Sequence, residues 1–251
     1  MPSTAIRENR ISDLLPPVPE TKISTGIKRM DELMYGGYSK GDNVLIYGGV
    51  YSQKKNYMYN FIASAVRNGM NVLILALDTP VDEIMKEIGK RDDRIDDHLQ
   101  MIHIIDGFSR KYQEKPPENV IPIEDSYNMS HVIKTINASS MQYHPCAFVM
   151  LSATQYLISE KEESIKFIHQ ICYMRRNSES VSIYMLDDFA GEKIISEVGY
   201  AMDISIRFTN NGDDDHLQVH TLRNVRTRDP VRIYQSENSF YLGSFNVERI
   251  K

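Results

Sequence analysis

Residues 43–62 read NVLIYGGVYSQKKNYMYNFI. The stretch begins as a buried strand, meets the pair Gly48-Gly49, and continues as a helix whose pattern runs from about Asn56 to Arg67. A strand that turns through glycine into a helix is the setting of a phosphate-binding loop, because the first N–H groups of the helix and its dipole both favour an anion there.

Laid on the spacing G-x-x-x-x-G-K-[ST], the first glycine is Gly48, the second glycine position holds Gln53, the lysine is Lys54, and the hydroxyl position holds Lys55. Gln53 puts a Cβ where glycine would let the backbone approach a phosphate, and Lys55 puts a cation where a hydroxyl would hold magnesium. The reading that follows is a phosphate-binding site without its usual metal chemistry. Its candidate residues are Gly48, Gly49, Ser52, Gln53, Lys54 and Lys55, with the amides of 49–54 and the Lys54 ammonium on phosphate. The alternative left open by the motif alone is a drifted loop whose two lysines are solvated charges at a helix start.

Outward from this stretch, apolar runs alternate with amphipathic helical ones. NVLILAL (71–77), MIHIID (101–106), CAFVML (146–151) and VSIYML (181–186) read as strands, and helices are expected from about Val81, near 129–141 and from about 161 to 175. The strands are continuous apolar runs, as a parallel sheet covered on both faces requires. After Gly199 the pattern changes to DISIRF, LQVHTLR, VRIYQ and SFYLG with only turn residues between, and Asn211-Gly212 supplies a hairpin connection. The expected fold is α/β, a doubly wound, mostly parallel sheet with C-terminal antiparallel strands.

Upstream, Ser24 or Thr25 is placed to cap a short helix with Ile27, Met30, Leu33 and Met34 on one face, ended by Gly36-Gly37. Residues 1–22, with PPVPE and mixed charge, read as an arm, and 23–251 as a single domain. RDDRIDDHLQ (91–100) reads as a solvated charged surface rather than a metal site.

Composition narrows the functions. The 251 residues carry a net charge of −5, with 41% hydrophobic and 25% charged residues. This acidic balance argues against nucleic acid or an anionic membrane as partner. Cys146 and Cys172 lack metal-ligand spacing and read as buried thiols in a reducing compartment, and no metal site is expected. The N-terminus has charges where a signal peptide needs an apolar run, so a cytoplasmic location is expected.

The wider segment ISTGIKRMDELMYGGYSKGDNVLIYGG (23–49) resembles the opening of KaiC-like ATPases of the RecA superfamily. NGMNVLILALDTPVDEIMKEI, MIHIIDGFS, SEVGYAMDISIRF and LQVHTLRNVRTRDPVRIY are similar to later segments of that family, so the likeness spans nearly the whole chain. The resemblance implies a carboxylate pair after the second strand to activate water; Asp78 and Thr79 stand there, making Asp78 the catalytic candidate. An N-terminal helix cap is its other reading. It also implies a magnesium-organising aspartate after the apolar run AFVM, where this chain has Leu151 followed by Ser152. From the basic hairpin, Arg223 and Arg226 are the candidates to reach a neighbouring subunit's phosphates, with Arg228 and Arg232 nearby; a charged edge strand is the alternative for all four.

Together these imply a catalytically inactive RecA-fold protein, a pseudo-ATPase acting as a regulatory, nucleotide-sensing or assembly module in archaeal-type signal transduction. ATP or ADP is the expected ligand and Mg²⁺ is not. A protein partner, a related active ATPase or further copies of the chain are the expected associates. Two alternatives stand: a slow ATPase using Asp78, and a recombinase-paralogue-like accessory protein that binds DNA.

Overall fold

The structure is a computed structural model and describes residues 22–92, 94–108, 117–123, 125–212, 214–221, 225–227, 229–236, 239–244 and 247–249. The expected arm therefore lies, except for Lys22, outside the described residues.

The chain opens with β1 (Lys22–Ile23), helix α1 (Lys28–Leu33) and β2 (Tyr38–Ser39), which pairs antiparallel with β1. Ile27, Met30 and Leu33 are buried on one face, as expected. Neither Ser24 nor Thr25 caps α1, whose N-cap is Ile27. Their hydroxyls instead donate to the Asp31 carboxylate, at 2.6 Å and 2.7 Å, which pins the segment before the helix onto its first turn. Gly36 and Gly37 take φ of 103° and 110° after the helix. A Cβ at Gly37 would lie 2.1 Å from the Ile23 carbonyl oxygen, so only glycine lets this turn pack on β1.

The central elements follow in order: β3 (Asn43–Gly48), α2 (Lys54–Arg67), β4 (Asn71–Ala76), α3 (Val81–Gly89), β5 (Ile102–Asp106), β6 (Val120–Pro122), α4 (Met129–Gln142), β7 (Cys146–Met150), α5 (Thr154–Ser159), α6 (Lys161–Arg175), β8 (Ser182–Asp187) and α7 (Glu192–Gly199). The strands and helices read from the sequence stand within a few residues of their expected places. Not anticipated were β6, α5 and α7, all short, and a 3-10 helix at Ile95–Met101.

The last strands are β9 (Ile204–Asn211), β10 (Asp214–Thr221), β11 (Val225–Thr227), β12 (Val231–Ser236), β13 (Ser239–Leu242) and β14 (Val247–Arg249). The main sheet has the order β13-β12-β10-β9-β3-β8-β7-β4-β5-β6. From β9 to β6 neighbouring strands run parallel, while β9-β10, β10-β12 and β12-β13 are antiparallel. β9 thus joins the two halves, pairing parallel with β3 on one side and opening the meander on the other. Gly212, at φ 75°, makes the hairpin turn, and Asn211 is instead the last residue of β9, opposite Asp214. β11 and β14 form a separate antiparallel pair.

Alternation along β3 splits the core. Val44 and Ile46 pack with Tyr57, Met58, Phe61 and Ile62 of α2, whereas Leu45 joins Leu73, Leu75, Phe148 and Ile168 on the opposite face. Helices on both faces explain why the central strands are apolar over most of their length. One buried polar side chain is Arg175, the last residue of α6, whose Nη2 donates to the Cys146 carbonyl at 2.5 Å and Nε to Ser182 Oγ at 3.0 Å. Both contacts satisfy the guanidinium while tying α6 to β7 and β8.

Candidate functional site

β3 ends at Gly48, flanked in register by Asp187 of β8 and Phe208 of β9. A Cβ at Gly48 would lie 2.2 Å from the Phe208 carbonyl oxygen. Packing of β9 against the strand tip therefore demands glycine here, whatever the loop binds.

The loop turns tightly over Gly49. Its carbonyl accepts from the Ser52 amide at 3.0 Å, the Ser52 hydroxyl at 2.7 Å and Lys54 Nζ at 2.5 Å. Val50 and Tyr51 at the crest are exposed. Gln53 is the N-cap of α2, at φ −73° and ψ 10°, an ordinary conformation that needs no glycine. The loop accommodates a side chain where the motif has glycine, and uses it. Gln53 Nε2 donates to Asp215 of β10 at 2.7 Å, and its Oε1 accepts from Asn56 Nδ2 at 2.5 Å. Asn56 Oδ1 in turn accepts from Arg91 Nη2 at 2.6 Å. Side-chain hydrogen bonds thus run from the β9-β10 hairpin through the loop to the end of α3. Arg91 and its neighbour Asp92, which pairs with Arg67 at 3.5 Å, have largely buried side chains, so this end of 91–100 is a packing contact and not a solvated surface.

Lys54, in the first turn of α2, is 0% exposed. Its ammonium lies 2.8 Å from Asp187 Oδ1, an ion pair between the start of α2 and the tip of β8. Thr154 fixes the carboxylate from the far side: its hydroxyl donates to Asp187 Oδ2 at 3.2 Å and accepts from the Asp187 amide at 2.9 Å. Lys55 is exposed. Of the six loop residues named from sequence, five are gathered in one turn and Lys55 points to solvent.

Asp187 was missed in the sequence. The signal was present: IYMLDD ends an apolar run in aspartate, as the family resemblance implies one strand earlier, where CAFVM is followed by Leu151. Leu151 is 2% exposed, its amide donating to the Leu75 carbonyl at 3.2 Å, and Ser152 beside it is buried.

Asp78 follows β4, which stands three strands from β3 in the sheet order, about 14 Å at ordinary strand spacing. The Thr79 hydroxyl donates to Asp78 Oδ1 at 2.9 Å. Asp78 does not cap α3; the N-cap is Pro80. It faces α2 electrostatically: burial first, then Glu83, Glu87 and Asp78, push the Tyr59 phenol up.

Arg223 and Arg228 lie outside the described residues. Arg226 stands on β11 opposite Glu248. Arg232, exposed on β12, pairs with Asp214 and lies 5.3 Å from the ring centroid of Tyr234. Its charge is engaged within the meander, and β13, not β12, ends the sheet.

These residues do not fit a magnesium ion held in the usual way. The strand tip of β7 offers an aliphatic side chain, the position after Lys54 offers an exposed cation, and the adjacent carboxylate is already paired. Among the described residues no group of three or more His, Cys, Asp or Glu side chains is arranged to hold a metal. A phosphate is chemically compatible with the start of α2, where the Lys54 ammonium stands in the first turn of the helix. Among the described residues no helix is long and apolar enough to cross a membrane.

Comparison with known proteins gives the family and the fold. A family model described as "ATPase: KaiC" matches residues 23–229. Among solved structures, the chain is similar to a KaiC-like protein from the hyperthermophilic archaeon Pyrococcus horikoshii, at TM-score 0.70 and 14% identity, over 89% of this chain and 99% of that one. At that identity the likeness concerns the fold. No curated protein matches the sequence significantly.

Proposed function

Since the chain belongs to the KaiC ATPase family, we propose that it is a member that binds ATP or ADP without turning it over, serving as a regulatory or assembly module whose nucleotide state alters its affinity for a protein partner. The observation that carries this reading is the contrast between Lys54 and Leu151. The phosphate-directed lysine is kept, buried at a helix start, while the tip of β7 holds a buried leucine where the family resemblance implies a magnesium-organising aspartate. Phosphoryl transfer depends on metal neutralisation of the phosphate charge, whereas anion binding at a helix start does not.

Calorimetric titration of ATP and ADP, with Mg²⁺ and with EDTA, tests the proposal. Expected are micromolar binding that persists in EDTA and is lost in Lys54→Ala, and phosphate release at background with Mg²⁺. Mg²⁺-dependent phosphate release lost in Asp78→Ala would replace this reading with a slow ATPase. Absence of binding at millimolar nucleotide would leave only a scaffold role.

A further inference from the structure

The lysine that would meet phosphate already holds an anion, supplied by the chain itself. Lys54 Nζ is shared between Asp187 Oδ1 at 2.8 Å and the Gly49 carbonyl at 2.5 Å, with no exposure to solvent. The carboxylate is positioned by strand register, since Asp187 stands directly opposite Gly48 at the head of the loop. It is positioned a second time by the two hydrogen bonds with Thr154. Unlike the lysine, the Asp187 side chain is 21% exposed and so has a path toward water.

A phosphate oxygen bound to Lys54 would sit within a few ångströms of this carboxylate, and two anions so close in a poorly solvated place repel. We propose that Asp187 is an exchange residue for the site: a nucleotide phosphate takes the place of its carboxylate on Lys54, and the strength of the internal pair sets the affinity for nucleotide. The inference rests on the nucleotide-binding reading above and adds the residue that opposes it. Thr154 is a positioning residue for the exchange, because its hydroxyl holds the carboxylate in the paired orientation.

The test is calorimetric titration of ADP in EDTA against wild type, Asp187→Asn and Thr154→Val, with circular dichroism confirming that each variant is folded. Asparagine keeps the size and Thr154 contacts of aspartate but leaves the ammonium's charge to phosphate, so Asp187→Asn is expected to bind ADP at least about tenfold more tightly. Thr154→Val leaves the charge in place and loosens its hold, so a severalfold tightening is expected. Wild-type binding accompanied by equal or weaker binding in Asp187→Asn overturns the exchange and leaves nucleotide binding standing. No heat from any of the three proteins overturns both. Binding by Asp187→Asn alone supports an exchange strong enough to close the wild-type site. Should Asp187→Asn not fold, Thr154→Val decides: binding no tighter than wild type overturns the proposal.

Discussion

Gln53 Nε2 donates to Asp215 Oδ2 at 2.7 Å, joining the loop ahead of α2 to the β10 strand of the C-terminal hairpin. Asp215 is held at its other oxygen by Asn210 Nδ2 at 2.9 Å. The contact bridges the parallel and antiparallel halves of the molecule at the candidate site. A hydrogen bond to a carboxylate is stronger than a neutral one, and this one is partly buried. Gln53→Ala is expected to lower stability by about 1–2 kcal/mol in urea unfolding. It should also weaken amide exchange protection in residues 210–212 and 214–216, a local effect that loss of a solvated side chain would not produce.

Removing one member of a buried ion pair strands the other. Asp187→Ala leaves Lys54 charged with no carboxylate partner, its ammonium held only by the Gly49 carbonyl, so a loss of up to about 3–5 kcal/mol is expected in denaturant unfolding. Lys54→Met/Asp187→Leu, which removes both charges, should recover most of that loss. A loss below about 1 kcal/mol for Asp187→Ala would place the pair among solvated surface bridges and contradict its burial.

Leu151→Asp restores the acidic group that the family resemblance implies, but into a place that is 2% exposed. An unpaired carboxylate there is expected to cost several kcal/mol in unfolding measurements. Phosphate release with Mg²⁺ should stay at background in this variant, because Lys55 still stands where the loop hydroxyl would be. Hydrolysis gained by Leu151→Asp alone would show that the loop needs no hydroxyl.

His103 of β5 is 6% exposed, stacked on Tyr143 at 3.4 Å between ring centroids, with no hydrogen-bond partner for Nε2 among the described residues. Burial lowers its pKa from the ordinary 6.5. The unfolded chain therefore takes up the proton first. The stability associated with neutral His103 is full above pH 6.5 and is lost as pH falls through that value toward the lower folded pKa. Urea midpoints should decline over that acid range in wild type and decline less in His103→Phe. Equal slopes would assign the acid sensitivity to other groups.

How much of the site was legible can be judged from three residues. Lys54 was readable because its motif is local, fixed by spacing to the strand and helix around it. The place of Leu151 at the tip of β7 was readable because the strand before it is a plain apolar run. Asp187 was not readable as part of the site, although its spelling was visible, since nothing in the spacing says which strand lies beside β3. The same reason hid the ion pair of Arg232 with Asp214, which lies on a neighbouring strand of the meander. Ser24 and Thr25 show a smaller version: their hydroxyl chemistry was anticipated, but its target was the Asp31 side chain rather than the helix backbone.

The sequence by itself determined the alternation of strands and helices, the burial of the central strands on both faces, and the start of α2 a few residues after a glycine pair. These follow from periodicity and local backbone preference, which act over a few residues. Only the tertiary structure decided that β8 lies between β3 and β7, and hence that the Asp187 carboxylate meets the Lys54 ammonium. Strand order is set by how helices of given size cover both faces of the sheet, a collective packing outcome that no single segment encodes. The chemistry of the loop depends on a neighbour that only the folded sheet brings to it.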